Sequence, residues 1–217
     1  MQFNGDAHST RFLERNICNL GYAQYEGVGA YDIPELEPIH IDNLKDIPIQ
    51  GFNYALKEQH PENIGVHFFL HDYQFERVWK YPDRYVEVLK KFAFVLSPDF
   101  SVYYDTPKVI QLYNLYRNRW LGKYWQEHGI KVIPTFSYGD VDLFNVFCDG
   151  IPKNSTIAVS TMGDGRWGKF ASLKAFWETM LWKLKPDTIL LYGKDLSKDL
   201  RGDNIIFKQM INSKVAL

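Results

Sequence analysis

Three aspartates follow the apolar runs of this sequence, at positions where a carboxylate could act on a ligand. They are Asp72, Asp99 and Asp140. Carboxylates gathered at one edge of a sheet can divide into an acid and a base when burial separates their pKa values, and their oxygens suit Mg²⁺. We therefore take all three as candidate catalytic residues, with Asp99 and Asp72 as ligands if Mg²⁺ is the cofactor. The alternative is capping, because aspartate is also a preferred residue at the start of a helix.

The loop around Asp99 carries further polar side chains and leads into the longest predicted helix. Ser101 and Tyr103 lie in this loop, and Asn114 and Arg117 share a helix face because they are three residues apart. A guanidinium can hold a phosphate or carboxylate through two parallel hydrogen bonds, so these four residues are candidate ligand-binding groups. The alternative is that Arg117 pairs with a carboxylate of the protein itself.

A glycine-rich segment precedes a second predicted helix. Its sequence is GDGRWG, from Gly163 through Gly165 to Gly168, and Lys169 follows. Glycines at this spacing let backbone N–H groups approach an anion at a helix N-terminus, so Gly163, Gly165 and Lys169 are candidate phosphate-binding residues. The dinucleotide-binding pattern is incomplete because the first glycine does not directly follow the strand, and a plain turn is the alternative.

Five short apolar runs alternate with segments of helical periodicity. The runs are Val66 to Leu70, Phe92 to Leu96, Lys131 to Phe136, Thr156 to Ser160 and Thr188 to Tyr192. Because they are nearly continuously apolar, they predict strands covered on both faces, as in a parallel sheet. The longest helical segment is Val109 to His128, and the pair His128-Gly129 predicts its end.

This order predicts an α/β fold with a mostly parallel sheet of five to six strands and helices on both faces. The sixth strand would be residues 204–208, and a partial β/α barrel is the alternative, since a complete barrel usually needs about 250 residues. Residues 1–60 contain several prolines and predict an irregular N-terminal wrap on the α/β domain of residues 61–217. We expect a single globular unit overall.

Charge and cysteine content limit which binding partners and which cellular compartment we expect. The net charge is −1, so no global positive field attracts nucleic acid or an anionic membrane. The two cysteines form no CxxC motif, which favours a reducing compartment, and no apolar run approaches the roughly 20 residues that span a bilayer. We expect a cytoplasmic protein without a membrane partner.

Five ordered motifs resemble an uncharacterised family. They are HFFLHDYQFERVW from His67, SPDFS from Ser97, YRNRW from Tyr116, GIKVIPT from Gly129 and LYG from Leu191. Together they are similar to a domain-of-unknown-function family of bacteria, phages and integrated mobile elements, over about residues 60–195. The resemblance implies a phage or mobile-element setting, and no established activity comes with it.

Three functions remain open from the sequence. The first is binding of an anionic nucleotide-like or nucleic-acid-derived ligand at the carboxyl edge of the sheet, with hydrolysis as an open extension. The second is a non-catalytic protein that modulates a host protein through an exposed aromatic patch. The third is nucleic-acid binding, which requires a shared basic face. Its members would be Arg77, Arg84, Arg117, Arg119 and Lys123.

Overall fold

The computed structural model describes residues 17–162, 169–202 and 204–209, with only the backbone described for residues 169–172 and 175. The strands are β1 (Gly27–Val28), β2 (Ile33–Pro34), β3 (Ile49–Gly51), β4 (Gly65–His67), β5 (Phe94–Leu96), β6 (Val132–Ile133), β7 (Thr135–Phe136), β8 (Thr156–Ser160), β9 (Thr188–Gly193) and β10 (Ile205–Gln209). The α-helices are α1 (Phe52–Ala55), α2 (Glu76–Lys80), α3 (Val86–Leu89), α4 (Lys108–Glu127) and α5 (Lys169–Leu184).

Two parallel sheets of four strands each form the framework. Their strand orders are β3-β4-β5-β6 and β7-β8-β9-β10, and in both the neighbours follow the order of the chain. Pro134 separates β6 from β7, because proline has no N–H to donate to a ladder. Because neighbouring strands in each sheet are parallel, their carboxyl ends lie at the same edge.

The strand side chains divide between three apolar clusters. On the outer faces, one cluster joins Val66 and Val95 to the helix residue Trp120, and a second joins Ile157 and Leu191 to helix α5. The third cluster takes its side chains from both sheets, so the inner faces pack on each other. Its members include Ile49, Phe94, Leu96, Ile133, Ala158, Leu190 and Tyr192.

The arrangement is open where a barrel would close. Within the described residues no ladder joins β10 to β3. Instead, the Lys208 ammonium donates to the backbone oxygens of Lys45 (2.6 Å) and Ile47 (2.8 Å), which precede β3. The predicted parallel α/β class is therefore confirmed. Its strands form two sheets whose inner faces pack together, as in the partial-barrel alternative, and no closed barrel.

The main helical prediction is also confirmed. Helix α4 runs over Lys108–Glu127 and ends at His128 and Gly129, whose φ of +79° is easily adopted only by glycine. The first parallel strand, β3, lies inside residues 1–60, the segment predicted to be irregular. No helix in the described ranges is long and apolar enough to cross a membrane.

Candidate functional site

Asp99 lies at the carboxyl edge of the sheets, where the sequence places it. It follows β5, and its Oδ1 accepts a hydrogen bond of 2.7 Å from the hydroxyl of Ser137, which follows β7. Ser137 is 8% exposed, whereas Asp99 is half-buried. The carboxylate is therefore oriented by a neighbouring strand end.

Asp72 is bonded to the same loop. Its carboxylate accepts from the backbone N–H of Ser101 at 3.1 Å and from the Ser101 hydroxyl at 2.8 Å. Asn114 of α4 donates to the carbonyl of Ser101 at 2.7 Å. The structure thus brings the predicted site residues Asp72, Ser101 and Asn114 together. Their hydrogen bonds hold the loop that also carries Asp99.

Arg117 extends this network into the core. Its Nη1 lies 2.6 Å from Glu76 Oε1, its Nη2 donates to Asn114, and its guanidinium stacks 3.8 Å from the centre of the Phe100 ring. The residue is 8% exposed and its Nε has no hydrogen-bond partner among the described residues. This is the pairing with a protein carboxylate that the sequence left open as the alternative.

The structure also places two of the other predicted residues. Asp140 caps a 3-10 turn by accepting from the N–H of Asp142, and it lies 3.8 Å from the ammonium of Lys108. Tyr103 is 42% exposed on the loop before α4. Gly163 and Gly165 lie outside the described residues, and Lys169 is the first residue of α5, with its side chain also outside them.

A magnesium site at Asp99 and Asp72 remains a prediction. In the described part of the chain, no group of three or more histidine, cysteine, aspartate or glutamate side chains is placed to hold a metal ion. Both carboxylates accept hydrogen bonds from serines. Any ion there would have to share these oxygens with the protein.

Three aromatic rings are in contact at the carboxyl edge, and the sequence did not predict this contact. His67 ends β4, Phe69 follows it, and Tyr192 lies near the end of β9. Tyr192 is 4.5 Å from His67 and stacks 5.0 Å from Phe69, measured between ring centroids. The signal in the sequence is the spacing of His67 and Phe69, which puts both side chains on one face of an extended chain.

His67 is neutral at physiological pH. Burial lowers its pKa to about 3, because desolvation disfavours the charged ring. Its Nδ1 accepts a hydrogen bond from the N–H of Phe69 at 3.2 Å. The ring proton is therefore on Nε2, which leaves a neutral donor at the strand end.

The ends of β8 and β7 lie between the aromatic rings and Asp99. Ser160 is the register partner of Tyr192, and its carbonyl accepts from the Tyr138 hydroxyl at 3.3 Å. Burial, with the charge of Asp99, raises the pKa of Tyr138 and keeps it protonated. Ser160 and Tyr138, at the ends of β8 and β7, therefore lie between the three rings and Asp99 in the order of the strands.

Gly193 allows the ends of β8 and β9 to approach. Its φ is +117°, and a Cβ placed there would lie 2.6 Å from Thr161 Oγ1. That hydroxyl donates to the carbonyl of Tyr192 at 3.1 Å and accepts from the N–H of Lys194 at 2.6 Å. The glycine of the LYG motif is therefore required by the close contact that positions Tyr192.

Two of the five residues required for a basic nucleic-acid-binding face, Arg117 and Arg119, are buried. Arg119 is fully buried and donates to the carbonyls of Asp149, Thr135 and Phe147. Arg117 is bound in the network around Glu76. Neither guanidinium lies where it could contact a phosphate backbone.

Comparison with known proteins identifies relatives in phages. The model of a domain of unknown function (DUF4417) matches residues 25–210. The Gene 1 protein of Mycobacterium phage L5 is 41% identical over 157 residues, which cover 71% of this chain and 67% of that protein. The Gene 1 protein of Mycobacterium phage D29 is 36% identical over 190 residues, which cover 86% and 68%. No solved structure matches.

Proposed function

The chain belongs to the DUF4417 family of unknown function, as its motifs indicated, and we propose that it binds a small anionic, nucleotide-like ligand at the carboxyl edge of its sheets. The observation that supports the proposal is that the ring cluster of His67, Phe69 and Tyr192 and the carboxylate of Asp99 all lie at the carboxyl ends of parallel strands. In parallel α/β folds, ligands bind at this edge because loops and helix N-termini converge there.

The ring cluster is suited to a planar ligand group. Phe69 is half-buried, and its ring stacks on the buried ring of Tyr192. A base that stacks on such a ring gains about 1–3 kcal/mol. Nε2 of His67 would donate one hydrogen bond to an acceptor on the ligand without adding charge.

Asp99 supplies the complementary polar contact. A carboxylate accepts hydrogen bonds from hydroxyl or amino groups, such as those of a ribose or a base. Ser137 fixes its orientation, and the bonds among Asp72, Ser101 and Asn114 hold its loop. We assign Asp72, Ser101, Asn114 and Arg117 the role of positioning the Asp99 loop.

The anionic end of the ligand would lie towards α5. The end of β8 leads to the start of this 16-residue helix, and a helix N-terminus attracts negative charge. Gly163, Gly165 and Lys169 remain the residues proposed to contact phosphate. Hydrolysis would require a base, and Asp99 is the carboxylate that we propose for it.

Ligand-dependent thermal unfolding tests the proposal. The panel contains nucleotides, cyclic dinucleotides and nicotinamide-type dinucleotides, each with and without Mg²⁺. A ligand at 100 times its Kd stabilises the fold by about 2.7 kcal/mol, which raises Tm by several degrees. We expect Phe69→Ala to weaken binding about 5- to 150-fold, and Asp99→Asn to weaken it at least about tenfold.

Two matched variants serve as controls. Asp187→Asn alters a carboxylate just before β9, at the amino edge, and Tyr104→Ala removes an aromatic ring that is 75% exposed. Both should retain the full ligand-induced shift. The proposal fails if no compound stabilises the wild type, or if the shift survives unchanged in Phe69→Ala and Asp99→Asn. Phosphate release in the same samples reports hydrolysis.

A further inference from the structure

A cavity of about 1050 Å³ lies at the opposite, amino edge of the sheets. Its walls are the chain around residues 25–38, the loop of residues 148–153 that leads to β8, and the end of α5 that leads to β9. Pockets for small molecules usually hold about 300–1,000 Å³. This cavity is therefore at least as large as a single metabolite requires.

The floor of the cavity is apolar and closely packed. Leu36, Ile151 and Leu184 line it, each between 2% and 3% exposed. Gly150 lies among them with a φ of +75°, and a Cβ there would lie 2.4 Å from the backbone oxygen of Pro34. The floor thus offers a preformed apolar contact for one inserted side chain.

The rim carries exposed charges of both signs. Lys153 and Lys185 are exposed on the wall formed by the β8 loop and the end of α5, and Glu26 and Glu35 are exposed on the N-terminal wall. No ion pair within the described ranges involves any of these four side chains. Their charges are available to a partner.

Trp182 stands on the lysine wall with 74% of its side chain exposed. Tryptophan is enriched among the residues that dominate the energy of protein interfaces, since it buries a large apolar area at little cost in conformational entropy. The neighbouring apolar floor and two unpaired lysines give this ring the surroundings of such an anchor residue.

We infer that this cavity binds an extended polypeptide segment of a partner protein. An apolar side chain of the segment fills the floor beside Trp182, an acidic residue faces Lys153 and Lys185, and a basic residue faces Glu26 and Glu35. A nucleic acid fits less well, because the carboxylates of the N-terminal wall would repel its phosphates. Charge complementarity therefore selects a peptide of mixed charge.

Selection from a random-sequence peptide library, with the full chain as bait, tests this inference. We expect enriched peptides to combine an apolar residue with an acidic residue on one side and a basic residue on the other. Trp182→Ala should weaken a selected peptide about 30-fold in fluorescence polarisation. Lys185→Glu should select basic residues at the formerly acidic position.

Both variants alter exposed side chains, so an unchanged circular dichroism spectrum and Tm confirm that they fold. The matched control is Tyr104→Ala with Lys57→Glu, an exposed aromatic ring and an exposed lysine outside the cavity, and it should bind like the wild type. The inference is overturned if no peptide is enriched, if selected peptides bind Trp182→Ala equally well, or if an oligothymidylate displaces them.

Discussion

At the carboxyl edge, Asp72 and Asp99 accept hydrogen bonds from serines of neighbouring loops, and Arg117 is buried beside them. At the amino edge, Lys153 and Lys185 are exposed and have no ion-pair partner among the described residues. One edge of the sheets thus holds its polar groups in an internal network, and the other holds them on the rim of a cavity.

The difference shows how burial decides what a polar group can do. A buried polar group must be hydrogen-bonded, so the carboxyl edge has a fixed geometry that suits a small ligand of defined shape. An exposed charge keeps its hydration and its rotamers, so the amino edge suits a partner that supplies its own complementary charges. Both proposals follow from this contrast.

Arg119 is the residue whose removal should have the largest effect, because its buried guanidinium bonds β7 to the loop beside the amino-edge cavity. It donates to the carbonyl of Thr135 in β7 and to those of Phe147 and Asp149 beside the amino-edge cavity. Arg119→Met leaves these acceptors unsatisfied in the interior, and we expect a loss of about 3–5 kcal/mol in the free energy of unfolding. Urea denaturation measures it.

The control for Arg119 is Arg84→Met, which alters an exposed arginine. It should change the free energy of unfolding by no more than about 0.5 kcal/mol. If Arg119→Met were equally harmless, the buried guanidinium would not be needed to hold β7 and the loop beside the cavity together.

A pH series should sharpen the contrast at the carboxyl edge. The pKa of His67 is about 3 in the folded protein against an ordinary value near 6.5, so the unfolded chain binds the proton more readily between these values. The free energy of unfolding must therefore fall as the pH decreases below 6.5. Between pH 6.5 and 5.5 this residue should contribute a loss of about 1 kcal/mol, which His67→Gln should abolish.

The exposed His60 provides the matched control for this series. His60→Gln should keep the pH dependence of the wild type, since its side chain is 76% exposed. Parallel pH profiles for wild type and His67→Gln would contradict a neutral, buried His67.

The smallest effect is expected from the ion pair between Lys123 and Glu37 at the amino edge. Their charged atoms are 2.5 Å apart, but Glu37 is 69% exposed, and solvent screens such a pair. Lys123→Met should lower the free energy of unfolding by less than about 1 kcal/mol, as measured by urea denaturation beside Lys57→Met. A loss above 2 kcal/mol would mean that the amino edge depends on buried charges as the carboxyl edge does.

Much of the fold was predictable because its signals are local. The nearly continuous apolar runs indicated parallel strands, and the pair His128-Gly129 indicated the end of α4. Pro134 divides one predicted strand into β6 and β7, and the strand at Gly65–His67 stops before the apolar run does. These differences arise because ladder pairing, which a run of apolar residues does not specify, sets where a strand ends.

The candidate site was predictable in position and only partly in composition. Strand-end geometry predicted Asp99 at the carboxyl edge and helical spacing predicted Asn114 beside Arg117, and the structure has both positions; their role in binding a ligand stays a prediction. Neither rule could indicate that Tyr192 lies against His67, 125 positions earlier in the chain, since that contact depends on how the two sheets face each other.

The sequence by itself determined the parallel α/β class, the edge at which the loops converge and the family, because each depends on short patterns and their order. Only the tertiary structure decided which charges are buried. Arg117 and Arg119 are two positions apart on α4 and bind different networks, while Lys153 and Lys185 stay exposed around a cavity. The physical reason is that desolvation depends on what the whole chain packs around a side chain, and no local pattern specifies it.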